Sequence, residues 1–169
     1  MFKKSTISTL AVILFAMGLL SSSLFAYDSY KEVLIDLSSQ RAYAIEDGFI
    51  VFEGRISSGK PGRETPTGEF EITQKKRHHK SNLWPKPNGG AKMPYMMRLT
   101  NTGISMHLGS VPNRAASHGC VRLKNGFAQK MFRWASVGTY VYIDGDARDY
   151  LVDIEGNYHD NYGITNINY

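Results

Sequence analysis

The stretch RAYAIEDGFIVFEGRI, residues 41–56, decides the fold class. Apolar and aromatic side chains recur on both sides of the pair Asp47-Gly48, which suits a tight turn whose residues need positive φ. Two such runs joined by this turn chemistry predict a β-hairpin. The sequence therefore indicates a protein built on antiparallel strands.

Further strands are predicted on both sides of this hairpin. The strand-like runs are VLIDL, GEFEIT, MPYMMRLT, GISMHL and TYVYID, at residues 33–37, 68–73, 93–100, 103–108 and 139–144. Only GFAQKMFRWAS, residues 126–136, has helical spacing of its apolar side chains. Glycine and proline make residues 57–68 a loop, and residues 74–92 are a long polar insertion. The prediction is a mainly β domain, a sandwich or partly open barrel, with one clear helix.

The N-terminus is typical of a secretory signal. MFKK is a short basic start, and residues 10–20 are apolar apart from one glycine. A run of this length is too short to cross a bilayer core of about 30 Å as a helix. The small residues of SSSLFA, ending at Ala26, then suit signal-peptidase cleavage. Residues 1–26 are therefore predicted to be a cleaved signal peptide, the alternative being an uncleaved N-terminal anchor.

The remaining residues, 27–169, fit a single domain. The whole chain carries 20 basic and 15 acidic side chains, and loss of Lys3 and Lys4 with the signal leaves 18 against 15, a net charge of +3. This mildly basic balance suits an exported protein of the periplasm or cell envelope, and it does not point to a nucleic-acid partner.

The one cysteine of the chain, Cys120, lies in HLGSVPNRAASHGCVRL, residues 107–123. A lone cysteine in an exported protein cannot form an internal disulfide, so it is either a buried, inert side chain or a reactive thiol. The thiolate is the reactive form, and cationic neighbours lower its pKa. His118 and Arg122 each lie two residues away, on one side of an extended backbone, and His107 lies near the end of a neighbouring predicted strand. This pattern favours an activated thiol.

His107 and the run SHGCVRL, residues 117–123, together resemble the signature of the L,D-transpeptidase (YkuD-type) catalytic domain, which remodels bacterial peptidoglycan. The stretches SSGKPGRETPTGEFEI, MPYMMRLTNTGISMH and FAQKMFRWASVGTYVYI extend the resemblance over residues 30–145. The resemblance implies an L,D-transpeptidase-type β-sandwich with one or two helices, in agreement with the strand pattern.

The resemblance also implies a role for each matched position. Cys120 matches the nucleophile, which attacks the carbonyl of the third, diamino acid residue of a tetrapeptide stem and expels the terminal D-alanine, leaving a thioester. His107 matches the general base, and His118 matches a supporting position. Ser117 and Arg122 fill positions that order the loop and polarise the substrate. The implied partner is therefore a peptidoglycan stem peptide.

Spacing alone does not decide which histidine is the base. His118 is closer to Cys120 in sequence, but sequence proximity is not hydrogen-bond reach, and the family pattern favours His107. A backbone carbonyl is expected to orient His107 through its second ring nitrogen. The main-chain N–H groups of Gly119 and Cys120 are the expected oxyanion hole, because negative charge that develops on a carbonyl oxygen needs preorganised donors.

Four further positions bear on the site. Asn113 and Ala115 stand where similar members of the family have glycine and proline, which leaves the conformation of this loop open. Tyr95 and Trp84 are candidates for lining the substrate groove, although aromatic residues in strands are more often part of the core.

The run KKRHHK, residues 75–80, is a basic patch that is predicted to be a solvated loop and to act as a lid over an anionic or carboxylate-bearing stem peptide. Its adjacent histidines, His78 and His79, do not converge easily on one ion in a strand, and no third ligand has suitable spacing. No metal and no cofactor are therefore expected.

Three functions remain open at this level. A transpeptidase passes the thioester to an amine of a second stem peptide or of an envelope protein, whereas a thiol hydrolase passes it to water. The third is a non-catalytic wall-binding protein with a degenerate site, which the intact motif argues against. Between the first two the sequence is silent, because pocket shape and exclusion of water decide what reaches the thioester.

Overall fold

The computed structural model describes residues 29–84 and 90–145, so the predicted signal peptide and the C-terminal residues 146–169 lie outside the described residues. The described chain forms nine strands and one helix. The strands are β1 (Lys31–Asp36), β2 (Arg41–Glu46), β3 (Phe49–Ser57), β4 (Gly68–Glu71), β5 (Gln74–Lys76), β6 (Met96–Arg98), β7 (Ser105–Leu108), β8 (Val121–Leu123) and β9 (Tyr140–Asp144), and the helix is α1 (Phe127–Trp134).

The predicted hairpin is confirmed as the antiparallel pair of β2 and β3. Asp47 and Gly48, which join the two strands, have φ of 53° and 82°. Two consecutive residues with positive φ match the right-handed twist of the flanking strands, which is why aspartate and glycine stand at this turn. The register shifts by one residue between Ala44 and Ile45, so the hairpin carries a bulge.

All nine strands belong to one curled sheet, in the order β4-β9-β1-β2-β3-β8-β7-β6-β5. The long strand β3 joins the two halves, because it pairs with β2 along most of its length and with β8 at Ile56 and Ser57. Most pairs are antiparallel, but β1 with β9 and β7 with β8 are parallel. The prediction of a mainly β fold of the sandwich type is confirmed.

The main core lies inside the curl of the sheet. One face of β1 and β2 buries Val33, Ile35, Ala42 and Ala44 there, against apolar residues of β7, β8 and β9. Helix α1 closes the core with Met131, which is fully buried. The helix is shorter than predicted, at eight residues. Within the described ranges, no helix is both long and apolar enough to cross a membrane.

The prediction of a solvated loop at residues 75–80 is partly wrong, because the backbone of this segment is hydrogen-bonded to other segments. Its first residues form the edge strand β5, which pairs with β6. Beyond β5, residues 77–84 run antiparallel to residues 90–95: Ser81 N–H donates to the Ala91 carbonyl at 2.9 Å, and Met93 N–H donates to the His79 carbonyl at 2.8 Å. These two segments are called the arm below. Backbone hydrogen bonds, which side-chain polarity does not reveal, therefore hold the two segments of the arm together.

Candidate active site

Cys120 lies immediately before β8, directly after a turn made by Ser117, His118 and Gly119. The Ser117 hydroxyl accepts a hydrogen bond from Gly119 N–H at 3.1 Å and donates one to the Cys120 carbonyl. Gly119 has φ of 110°, a conformation that side-chain-bearing residues rarely adopt. The turn fixes the nucleophile position through one serine side chain and one glycine.

A neighbouring loop, residues 57–68, holds this turn from the other side. The Thr65 hydroxyl donates to the Gly119 carbonyl at 2.8 Å and accepts from Gly59 N–H at 2.9 Å. Gly59 allows the close approach, because a Cβ atom there would lie 2.0 Å from the Arg63 carbonyl oxygen. The loop and the nucleophile turn are therefore packed backbone to backbone.

Because the chain turns before Cys120, the His118 side chain does not follow the alternation predicted for an extended backbone. Residues 117–120 are not a strand, so the expected alternation that would set His118 and Arg122 on the same side of an extended chain is wrong at His118. The His118 ring instead packs against the Trp84 ring of the arm, with centroids 4.6 Å apart and planes tilted by 44°.

His107 lies on β7, which runs parallel to β8 and aligns His107 with Arg122. The imidazole is buried, with 8% of its residue surface exposed. Its Nδ1 lies 2.9 Å from the Leu108 carbonyl oxygen. Because a carbonyl only accepts, Nδ1 carries the proton in this contact, and Nε2 is left with a lone pair. A backbone carbonyl thus orients His107, as expected.

Burial dominates the ionisation of the thiol and the imidazole. It raises the pKa of the Cys120 thiol, and the Ser105 N–H, Arg122 and Arg98 offset this only in part. It lowers the pKa of His107, and the positive charge of Arg122 lowers it further. The expectation that cationic neighbours leave Cys120 with a lowered pKa is therefore wrong, because loss of solvation outweighs them. Both shifts favour the neutral form, a thiol at Cys120 and an uncharged imidazole at His107.

Most of the predicted site residues border one cavity of about 410 Å³. Six of the predicted residues line it: Trp84, His107, Ser117, His118, Cys120 and Arg122. Tyr95 is not among the lining residues. Its ring packs against Phe132 of α1, with centroids 5.5 Å apart, and its backbone departs from strand geometry with φ of 56°.

Residues 30–143 match the family model of the L,D-transpeptidase catalytic domain. The chain belongs to this family. The match covers α1 and all nine described strands except Asp144, the last residue of β9. No curated protein sequence matches the chain.

Solved structures of L,D-transpeptidases have the same fold. An L,D-transpeptidase from Mycobacterium smegmatis is 22% identical with a TM-score of 0.63, over 69% of this chain and 59% of that one. One from Stackebrandtia nassauensis is 24% identical with a TM-score of 0.62, over 83% and 68%. L,D-transpeptidase 3 from Mycobacterium tuberculosis, solved with a faropenem-derived adduct, is 20% identical with a TM-score of 0.60, over 69% and 60%. The chain spans about three-fifths of the two mycobacterial proteins.

The sequence of this L,D-transpeptidase domain did not point to several residues that line the cavity. Arg63 comes from the loop at 57–68, Lys92 from the arm and Gly103 from the turn before β7. The Gly103 carbonyl oxygen lies 3.7 Å from the Cys120 sulfur and accepts a hydrogen bond from the thiol. The only sequence signal for these residues is that they lie in segments between the predicted strands, where binding residues are frequent.

The predicted oxyanion donors are not equivalent in this domain. The N–H of Gly119 is engaged by the Ser117 hydroxyl, so it is committed to the turn.

No three His, Cys, Asp or Glu side chains in residues 29–84 and 90–145 come together as a metal-binding group.

Proposed function

We propose that the protein is a peptidoglycan L,D-transpeptidase that works through a thioester on Cys120. The observation that carries the proposal is that Cys120 and a carbonyl-oriented His107 share one cavity, in a domain of the L,D-transpeptidase family. The acyl donor is a tetrapeptide stem, cleaved after its third, diamino acid residue.

The first step forms the thioester. His107 Nε2 takes the thiol proton as the Cys120 sulfur attacks the carbonyl carbon of the diamino acid residue. The carbon–nitrogen bond to the terminal D-alanine breaks, and the imidazolium returns the proton to the leaving amine. Of the two predicted oxyanion donors we retain the N–H of Cys120, since that of Gly119 is engaged by Ser117.

The second step passes the acyl group to an amine. The neutral His107 removes a proton from the incoming amine, whose nitrogen attacks the thioester carbonyl, and the sulfur leaves and regains the proton. The acceptor amine belongs to a second stem peptide or to an envelope protein. The protein then contributes to cell wall biogenesis and cell shape.

The basic character of the cavity supports a carboxylate-bearing substrate. Arg63, Lys92 and Arg122 line it, and no aspartate or glutamate of the described residues does. Stem peptides carry several carboxylates, which such a field attracts.

We place the enzyme in the periplasm or cell envelope, after removal of residues 1–26, because its substrate lies there.

Muropeptide mass spectrometry tests this function. Purified peptidoglycan incubated with the protein is expected to yield new dimers joined between two diamino acid residues, or stems joined to an added amine. Incubation with Cys120→Ala is the matched control and is expected to yield neither.

Two other profiles would contradict the proposal. Shortened stems without new cross-links, dependent on Cys120, would mean that water takes the thioester and that the protein is a hydrolase. Identical profiles for wild type and Cys120→Ala would leave a wall-binding protein without this chemistry.

The pH dependence of acylation follows from the two shifted groups. His107 must be neutral to take the thiol proton, and its pKa is lowered from the ordinary 6.5, so acylation is expected to fall off only as the pH decreases below 6.5. The raised pKa of Cys120 predicts that iodoacetamide alkylates this thiol faster and faster as the pH rises beyond the ordinary value of 9.0. Rate profiles from pH 4 to 10 would check both. An alkylation rate that no longer rises above pH 7 would mean that the thiolate is already fully formed there. That result would contradict a raised pKa of Cys120.

A further inference from the structure

Three positive charges act on one imidazole of the cavity, that of His118, and two of them, Arg63 and Arg122, line the cavity themselves. Lys60, Arg63 and Arg122 all lower the pKa of His118, after the effect of its partial burial, so their charges reach the same imidazole. The two ion pairs among the described residues, Lys31 with Glu46 and Arg41 with Glu53, do not involve these three cations. This part of the cavity is therefore a positive region without a described carboxylate to neutralise it.

Arg63 is placed in this region by aromatic stacking. Its guanidinium carbon lies 5.7 Å from the centroid of the Trp84 ring, whose other neighbour is the His118 ring at 4.6 Å. A guanidinium held over an aromatic ring keeps its N–H fork available for a carboxylate. Among the described residues no ion pair joins Arg63 to the adjacent Glu64, whose carboxylate accepts from Gly62 N–H at 2.6 Å.

The backbone under Arg63 is held against the nucleophile turn. Arg63 N–H donates to the Lys60 carbonyl at 2.9 Å, and Lys60 N–H donates to the Ser117 carbonyl at 3.1 Å. A Cβ atom built on Gly119 would lie 3.8 Å from the Arg63 carbonyl oxygen. The position of Arg63 relative to Cys120 is thus set by packed main chain, which makes it a preorganised contact.

We propose that Arg63, stacked on Trp84, binds the terminal carboxylate of the residue that leaves. This inference rests on the proposed function. The leaving residue extends only about 3.5 Å beyond the scissile carbonyl, so its carboxylate stays within the cavity that holds Cys120. A stem with one more residue has a neutral amide at this place. Arg63 is therefore a specificity-determining residue that selects donors ending one residue after the scissile bond.

The test compares two soluble donors: a tetrapeptide stem with a free terminal carboxylate and the same peptide with a terminal carboxamide. The rate of Cys120 acylation is measured by intact-protein mass spectrometry. Wild type is expected to react with the free acid about 10- to 100-fold faster, the range for a hydrogen bond to a charged group. Arg63→Gln is expected to bring the acid down to the rate of the amide, and Arg63→Lys is expected to keep part of the preference.

Lys130→Gln is the matched control. Lys130 also places its positive charge over an aromatic ring, that of Phe52 at 4.3 Å, and it does not line the cavity, so its loss is expected to leave the preference unchanged. The rate of iodoacetamide alkylation of Cys120 reports whether the site of each variant is intact, since this reagent carries no carboxylate.

The outcomes separate the two proposals. Equal rates for acid and amide in wild type would overturn the role of Arg63 while the transpeptidase proposal stands, and this comparison needs no variant. A preference that survives in Arg63→Gln would also overturn it. Acylation of wild type by neither peptide would instead refute the proposed function.

Discussion

Replacement of His107 by alanine is expected to slow acylation of Cys120 by about 10²- to 10⁴-fold, the usual contribution of a general base. The reason lies in the ionisation of the pair. Burial raises the pKa of the thiol, so almost no thiolate exists at neutral pH without a base to take the proton. His107 is oriented for this by its Nδ1 contact with the Leu108 carbonyl. The measurement is the rate of acyl-enzyme formation with a tetrapeptide donor at pH 7.

Two variants control for other effects of removing His107. His107→Gln keeps an N–H donor for the Leu108 carbonyl but provides no base, so it is expected to be as slow as the alanine variant. His118→Ala removes a ring that lines the same cavity and stacks on Trp84, and it is expected to cost less than about 10-fold. Equal losses in His107→Ala and His118→Ala would mean that the base is wrongly assigned.

Replacement of Cys120 by alanine is expected to abolish acylation by stem peptides and by carbapenems. Cys120 is the one cysteine of the sequence, so no second thiol can replace it. The change removes one partly exposed sulfur atom and leaves the bonds between Ser117 and the main chain possible, so the free energy of unfolding is expected to change by about 1 kcal/mol or less. Loss of activity would then report chemistry and not folding. Thermal unfolding of wild type and variant, measured together, checks this separation.

The parts of the fold that could be predicted are those that local chemistry determines. The pair Asp47-Gly48 predicts the hairpin because few other residues adopt two consecutive positive φ angles. Asn113, which stands where similar family members have glycine, has φ of 58°, and asparagine is among the few residues that tolerate this conformation. Asparagine here therefore adopts a backbone conformation that glycine also adopts readily.

The parts that could not be predicted depend on contacts between distant segments. The edge strand β5 and the arm are polar in sequence, and only their backbone partners on β6 and in residues 90–95 make them ordered. An aromatic residue such as Tyr95 can line the groove or join the core, and in the folded chain its ring packs on Phe132 of α1.

Within the site, the sequence identified chemical types but not their solvation. Cys120, His107 and Arg122 do border one cavity. The cationic neighbours of Cys120 predicted a lowered pKa, whereas burial, which depends on the folded chain, reverses the sign. Arg63, Trp84 and His118 come from three segments that are far apart in sequence. No local sequence pattern therefore predicts that they stack.

The thioester itself is the most direct test of this account. Wild-type protein and Cys120→Ala would be mixed with a tetrapeptide stem, quenched in acid and measured by intact-protein mass spectrometry, with peptide mapping of any adduct. We expect wild type to gain the mass of the stem without its terminal D-alanine, on the peptide that contains Cys120, and the variant to gain nothing. An adduct of equal yield in Cys120→Ala, or D-alanine release by the variant at the wild-type rate, would contradict the account.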